Sequence, residues 1–241
     1  MLIEIAGCTS SGKTRLLVQV LVELDKRGLK AILAYDDFLS AHRISLNHHK
    51  LRSLAVDALL VPWLPKVWKK YRDYIKIVSR MSLRRKDTLF MRLNIFRNFL
   101  KKLCLHEYFG RSETNNVLVF LDEGTVHTLN NVFSHYDKAP DLAQLSKILK
   151  YLPLPDVIVR VDAPIVTIVS RAVRRENYPW QHLDRRQLCC LAENTNKIYQ
   201  FIEKKRDLQE KRLVIVTENS HPSLEKQNVR RVVNYLASHI G

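Results

Sequence analysis

The chain opens on a short apolar run, Leu2-Ile3-Glu4-Ile5-Ala6, broken only by Glu4, and four similar runs follow at intervals along its length. They are Lys30-Ala-Ile-Leu-Ala-Tyr35, Val117-Leu-Val-Phe-Leu-Asp122, Val157-Ile-Val-Arg-Val-Asp162 and Leu213-Val-Ile-Val-Thr217. Near-continuous apolar runs of this length predict strands buried on both faces of a sheet. Each is followed by residues with helical spacing, as in Arg15-Leu-Leu-Val-Gln-Val-Leu-Val-Glu-Leu after the first. Strands alternating with helices predict an α/β fold, a three-layer α/β/α sandwich around a five-stranded parallel sheet. In such sheets ligands lie at the carboxyl ends of the strands.

Residues 40–115 break the alternation, with no strand signal and with apolar positions Leu89, Leu93, Phe96, Leu100 and Leu103 at helical spacing. Pro62 and Pro65 mark a turn around Trp63, and Ser112-Glu-Thr-Asn-Asn116 is a polar loop. The section predicts a helical insertion capping the sheet within one domain spanning 1–241. It is also strongly basic, with Lys66, Lys69, Lys70, Arg80, Arg84, Arg85, Lys86, Arg92, Arg97, Lys101 and Lys102. The whole chain carries a formal net charge of +16, which favours anionic partners such as nucleotides, nucleic acid or an acidic membrane surface. Trp63, Trp68, Tyr71 and Tyr74 interleave with these cations, a mixture that suits single-stranded nucleic acid, a bilayer surface or a solvated amphipathic face.

No apolar run approaches the length that spans a bilayer, and no basic stretch precedes the first apolar residues, so a cytoplasmic protein is expected. Cys8, Cys104, Cys189 and Cys190 show no metal-binding or disulfide spacing, in keeping with a reducing compartment. The nine histidines, among them His48, His49 and His127, show no metal spacing either.

The first run passes directly into Gly7-Cys8-Thr9-Ser10-Ser11-Gly12-Lys13-Thr14, which satisfies G-x-x-x-x-G-K-[ST]. The glycines permit backbone angles that turn successive N–H groups into one concavity, and the following helix adds its positive end. A P-loop NTPase is therefore expected, with Lys13 on the β- and γ-phosphates and the Thr14 hydroxyl on magnesium. ATP and Mg²⁺ are the expected cofactors. Cys8 inside the loop is either an oxidation-sensitive thiol or, as most such cysteines are, a small residue that fits.

Three further clusters lie at strand ends. Asp122-Glu123-Gly124 follows the third apolar run, where Asp122 suits magnesium and Glu123 equally suits an ATPase that polarises water. Tyr35-Asp36-Asp37-Phe38 follows the second, and either carboxylate is a candidate base toward a substrate hydroxyl or a plain helix cap. Asp162-Ala163-Pro164 leads into a helix whose far end bears Arg171, Arg174 and Arg175 on one face. Guanidinium groups there suit the charge spread over a transferring phosphoryl group.

The phosphate loop, the D-x-P-x6-R-x3-R run of Asp162, Pro164, Arg171 and Arg175, and a final strand–loop–helix resemble the nucleoside and nucleoside-monophosphate kinases. Thymidylate kinase and the deoxynucleoside kinases are the nearest, and Asp-Asp-Phe is similar to uridine kinase. The resemblance covers the sheet and its helices but not residues 40–115. It implies that Arg171 and Arg175 belong to a lid, at about 170–186, that closes over ATP, and that Thr217–Pro222 borders the adenine. It also implies phosphate and magnesium roles for Lys13 and Thr14, and Asp36 or Asp37 as base. Thymidylate kinases carry Asp-Arg after the third strand where this chain has Asp122-Glu123-Gly124, so the arginine that grips a monophosphate acceptor is missing from its place.

The reaction class expected is therefore phosphoryl transfer from ATP to a small acceptor, a nucleoside or nucleoside monophosphate first and a sugar-like hydroxyl compound next. An ATPase or nucleotide-gated module on nucleic acid or membrane, and a scaffold that binds nucleotide without turnover, are the competing classes. A small-molecule acceptor is the main partner expected, with nucleic acid or an acidic membrane surface at residues 66–102 and a second copy of the chain as further ones.

Overall fold

The computed structural model describes residues 1–46, 48–84, 88–110, 117–175, 183–205, 213–218 and 222–239, with 49, 50, 213–218, 222 and 223 as backbone alone. The expected parallel sheet is present. Its strands are β1 (Leu2–Gly7), β2 (Ala31–Leu33), β3 (Leu118–Asp122), β4 (Val157–Asp162) and β5 (Leu213–Glu218), in the order β2-β3-β1-β4-β5.

Because side chains alternate across a strand, β1, β2, β3 and β4 each feed two cores. Ile3, Ile5, Leu118, Phe120, Val157 and Val159 pack against α1 (Lys13–Lys26) and, at the other end of the chain, the terminal helix Pro222–Ala237. Leu2, Ala6, Val119, Leu121 and Ile158 face the opposite core, built on the helices between β2 and β3 and on those after β3. Full burial of each such Leu, Ile or Val side chain contributes about 1.5–3 kcal/mol. The layers therefore follow from period-two burial on both faces.

Between β2 and β3 lie α2 (Ala34–Ala41), α3 (His49–Leu60), a 3₁₀ turn at Val61–Trp63, α4 (Leu64–Lys70), α5 (Arg72–Leu83) and α6 (Leu89–Phe109). Pro62 sits in the 3₁₀ turn and Pro65 in the first turn of α4, where a missing N–H costs nothing. After β3 come α7 (Thr125–Phe133) and α8 (Leu142–Leu149), and after β4 come α9 (Ile165–Val173) and α10 (Arg185–Glu203); the terminal helix is α11.

Three expectations change. The second strand is only Ala31–Leu33, so Tyr35, Asp36 and Asp37 lie in the first turn of α2 rather than at a strand tip. Acidic side chains there complement the helix dipole, which favours starting the helix early. Helix α9 ends at Val173, with Arg174 as its cap and Arg175 N donating back to Ala172 O at 3.2 Å, so the three arginines do not share a continuous helical face. The basic insertion is not wholly solvated. Lys101 is buried, donating to Ser53 Oγ at 2.7 Å and pairing with Asp57 at 2.8 Å. Lys70 and Tyr71 both donate to the buried Glu107 carboxylate, at 2.7 and 2.9 Å. No helix among the described residues is long and apolar enough to cross a membrane.

The register brings the strand ends together. Gly7 pairs with Val161 across β1–β4, and Ile5 pairs with Asp122 across β1–β3. A Cβ on Gly7 would lie 2.3 Å from Val161 O, and its φ of +146 belongs to the left-handed half of the map, so only glycine fits.

Candidate active site

The phosphate loop is shaped by three positive-φ residues, Gly7, Ser10 and Gly12, and by a turn in which Ser11 N donates to Cys8 O at 3.1 Å. Gly12 caps α1 with no side-chain acceptor, and the first turn of α1 holds no acidic residue. Its N–H groups and positive end are left to an anion.

Lys13 is buried, its ammonium donating to Gly7 O and Cys8 O at 3.1 Å each and lying 3.3 Å from Glu123 Oε1. Glu123 stands directly after β3 with φ of +62, a strained angle for a side chain of this kind, and its N–H donates to Ile5 O at 3.3 Å. Its carboxylate also lies 3.8 Å from Lys102 Nζ and 3.4 Å from His127 Nε2. Burial alone pushes this carboxyl up, but the attraction of His127 in its protonated form, together with that of Lys102 and Lys13, prevails and holds it below the ordinary range. Burial pushes His127 down to about 3, so its imidazole is neutral, with Nδ1 3.1 Å from Tyr199 OH. Burial also lowers Lys102, against the pull of Glu123 and Glu4.

Glu4, the one polar residue of β1, is fully buried beneath this loop. Its carboxyl accepts from Val126 N and His127 N at 3.0 and 2.7 Å and so caps α7 from another strand. Burial outweighs those hydrogen bonds and raises it to about 7. A Cβ on Gly124 would lie 2.6 Å from Glu4 Oε2. Gly124→Ala is therefore expected to destabilise the fold by about 2 kcal/mol through overpacking, measured by urea denaturation; an unchanged midpoint would refute the contact.

Glu4 also fixes a pH dependence. Between pH 4.5 and 7 the unfolded chain has released this proton while the folded chain keeps it, so the group's contribution to stability falls as pH rises through that window. Glu4→Gln removes the fall. Its stability relative to the native chain is expected to rise by up to about 3 kcal/mol from pH 4.5 to 7, read from denaturation curves at each pH. His127 has the opposite slope between pH 3 and 6.5 but is common to both proteins, so it cancels in the comparison.

A cleft of about 470 Å³ opens at this end of the sheet, lined by Thr14, Asp36, Arg52, Lys102, Asp122 and Glu123, with Leu17, Leu21, Leu33 and Phe120 on its apolar wall. Arg52 forms an ion pair with Asp36. Asp37 is not among the lining residues. Thr14 and Asp122 share the cleft and offer the hydroxyl and carboxylate oxygens that a magnesium ion takes. Burial, with Glu123 beside it, raises the Asp122 carboxyl against the pull of Lys13 and Lys102.

On the other side of the loop, Arg171 of α9 donates from Nη1 to Ser11 O at 3.3 Å, across a sequence separation of 160 residues. Asp162 does not face the loop in the same way: it accepts from Ala163 N and pairs at 3.1 Å with Arg160, which also clasps Glu203 of α10 at 2.6 and 2.8 Å. Arg174 and Arg175 are exposed. Residues 176–182 of the expected lid, with Tyr178, Pro179 and Trp180, the loop at 112–116, Arg85 and Lys86, and residues 219–221 of the segment expected to border the adenine lie outside the described residues.

Of the two readings of Cys8, its surroundings favour the small residue that fits. It is buried, and burial pushes its thiol up to about 11, which suppresses the thiolate that oxidation requires. Sequence reasoning missed Glu4, whose partners lie more than a hundred residues away, and gave Lys102 no role beyond its place in a basic run.

No family model matches the chain, and no curated protein matches it. Solved structures of deoxyadenosine kinase from M. mycoides superpose on it weakly. With dCMP and a flexible dCDP bound, the TM-score is 0.49 at 12% identity, covering 99% of this chain and 100% of that one. With dATP bound, the TM-score is 0.46 at 14% identity over 98% and 100%. With dCTP bound, it is 0.46 at 12% over 99% and 100%. At these scores the overlap leaves the chemistry to the chain's own side chains.

Proposed function

We propose that this chain is an ATP- and Mg²⁺-dependent kinase that transfers the γ-phosphoryl group to a nucleoside or nucleoside monophosphate. The observation that carries the reading is the Arg171–Ser11 hydrogen bond, which sets a guanidinium against the phosphate loop from the far half of the chain.

The loop N–H groups and the α1 end bind the phosphate chain. Lys13 turns from Glu123 to the β- and γ-oxygens, leaving Glu123 with Lys102 and His127 as partners. Arg171 stabilises charge on the transferred oxygens, and Arg174 and Arg175 join it when the lid closes and excludes water. Thr14 and Asp122 would hold magnesium, which supplies Lewis-acid neutralisation of the phosphate oxygens. Asp36 rather than Asp37 is the base toward the acceptor hydroxyl, because it lines the cleft, and its ion pair with Arg52 orients it. The apolar wall of Leu17, Leu21 and Phe120 receives the base, and Lys102 supplies the cation missing after the third strand.

Residues 1–241 act as one domain in this reading, with the insertion at about 40–115 as the acceptor wall and the segment at about 170–186 as the lid. A reducing, cytoplasmic setting fits the four free cysteines.

Incubation with γ-labelled ATP and a panel of nucleosides, nucleoside monophosphates and sugars is expected to yield labelled nucleotide and acceptor-dependent ADP. ADP release at the same rate with no acceptor, and no labelled product, would replace this reading with the ATPase that Glu123 beside Lys13 also permits.

A further inference from the structure

A second concavity, of about 580 Å³, lies away from the phosphate loop, between α5, the segment joining α7 to α8, and α8. Arg80 and Arg84 line one side, and Lys138 and Lys147 the other. None of these four side chains has an ion-pair partner among the described residues. The single carboxylate in the lining, Asp141, accepts from Gln144 N at 2.9 Å as the cap of α8. Arg80 in the last turn of α5 and Arg84, its C-cap, are one turn apart, and Asn194 of α10 donates to His135 O and Lys138 O at 2.7 and 2.8 Å, pinning the opposite wall. The floor between these walls is apolar, with Ile77, Met81 and Val132.

Four cations on a fixed frame exceed what one carboxylate or one phosphate neutralises, whereas a phosphate chain answers all of them. The volume lies within the range of small-molecule pockets, and a thioether floor suits a flat ring. A duplex or bilayer surface would meet the rim and leave the floor unfilled. We propose that this concavity binds a nucleoside di- or triphosphate, with its phosphates on Arg80, Arg84, Lys138 and Lys147 and its base on Met81 and Ile77. The site is separate from the donor cleft and independent of the kinase reading.

Acylation of lysines, quantified residue by residue by mass spectrometry with and without ATP, tests this directly. ATP is expected to slow modification of Lys138 and Lys147 by about fivefold and to leave the exposed Lys26 unchanged. Protection is expected to persist in Lys13→Met and to vanish in Arg80→Ala/Arg84→Ala, whose positions are exposed and outside the core. Tripolyphosphate in place of ATP is expected to protect more weakly, because the apolar floor then goes unused. Unchanged reactivity with ATP would overturn the proposal, as would loss of protection in Lys13→Met. Protection by a thymidine oligonucleotide but not by ATP would overturn it in favour of a nucleic-acid groove.

Discussion

Lys13→Ala is expected to lower phosphoryl transfer about a thousandfold, the scale of losing one preorganised cation from a site that stabilises transition-state charge. The ammonium is buried, with two loop carbonyls and Glu123 as its partners, so nothing else in the loop takes its place. Removing it also leaves the partly exposed Glu123 with only Lys102 and His127, so some stability is lost with the rate. The rate is therefore to be compared at a temperature where calorimetry shows both proteins folded. A variant that is folded and retains more than about a tenth of the native rate would remove Lys13 from the chemistry.

Arg171→Ala is expected to lower kcat about a hundredfold while leaving the melting temperature unchanged. Its side chain is exposed and its contact with the rest of the fold includes the Ser11 carbonyl, so little packing is lost. Arg171→Lys is expected to restore little, because a point charge cannot present the planar fork that spans two phosphate oxygens. Arg174→Ala and Arg175→Ala are expected to lose less than Arg171→Ala, since neither shares its helical position over the loop. Steady-state kinetics with saturating ATP separate these cases; equal losses at all three positions would mean that the cluster acts only as a diffuse positive field.

Much of this was legible from local pattern. The phosphate loop and the strands around it are short-range signals, because their residues are adjacent in the chain and each strand is written as a near-continuous apolar run. The acids after β3 were also legible, since the end of a buried strand is where ligands lie in a parallel sheet. The choice between Asp36 and Asp37 was not, because it depends on α2 beginning at Ala34 and on which side of its first turn faces the cleft. Burial of Lys101 and Glu107 was equally hidden: each pairs with a residue 36 to 48 positions away, and a charged residue in a helix reads as solvated until its partner is known. Glu4 looked like a blemish in a strand. Its role needs the N-terminus of α7 to arrive above it, and that meeting is set by the β1–β3 register rather than by any local pattern.

Crystallisation with magnesium and a non-hydrolysable ATP analogue tests the convergence of the two halves of the donor site most directly. The expected result is the analogue's phosphates on the Gly7–Thr14 loop, with Lys13 withdrawn from Glu123 onto them and an Arg171 nitrogen within hydrogen-bond reach of a phosphate oxygen. An analogue seated with Lys13 still paired to Glu123, or with Arg171 pointing away from every phosphate, would contradict the kinase account.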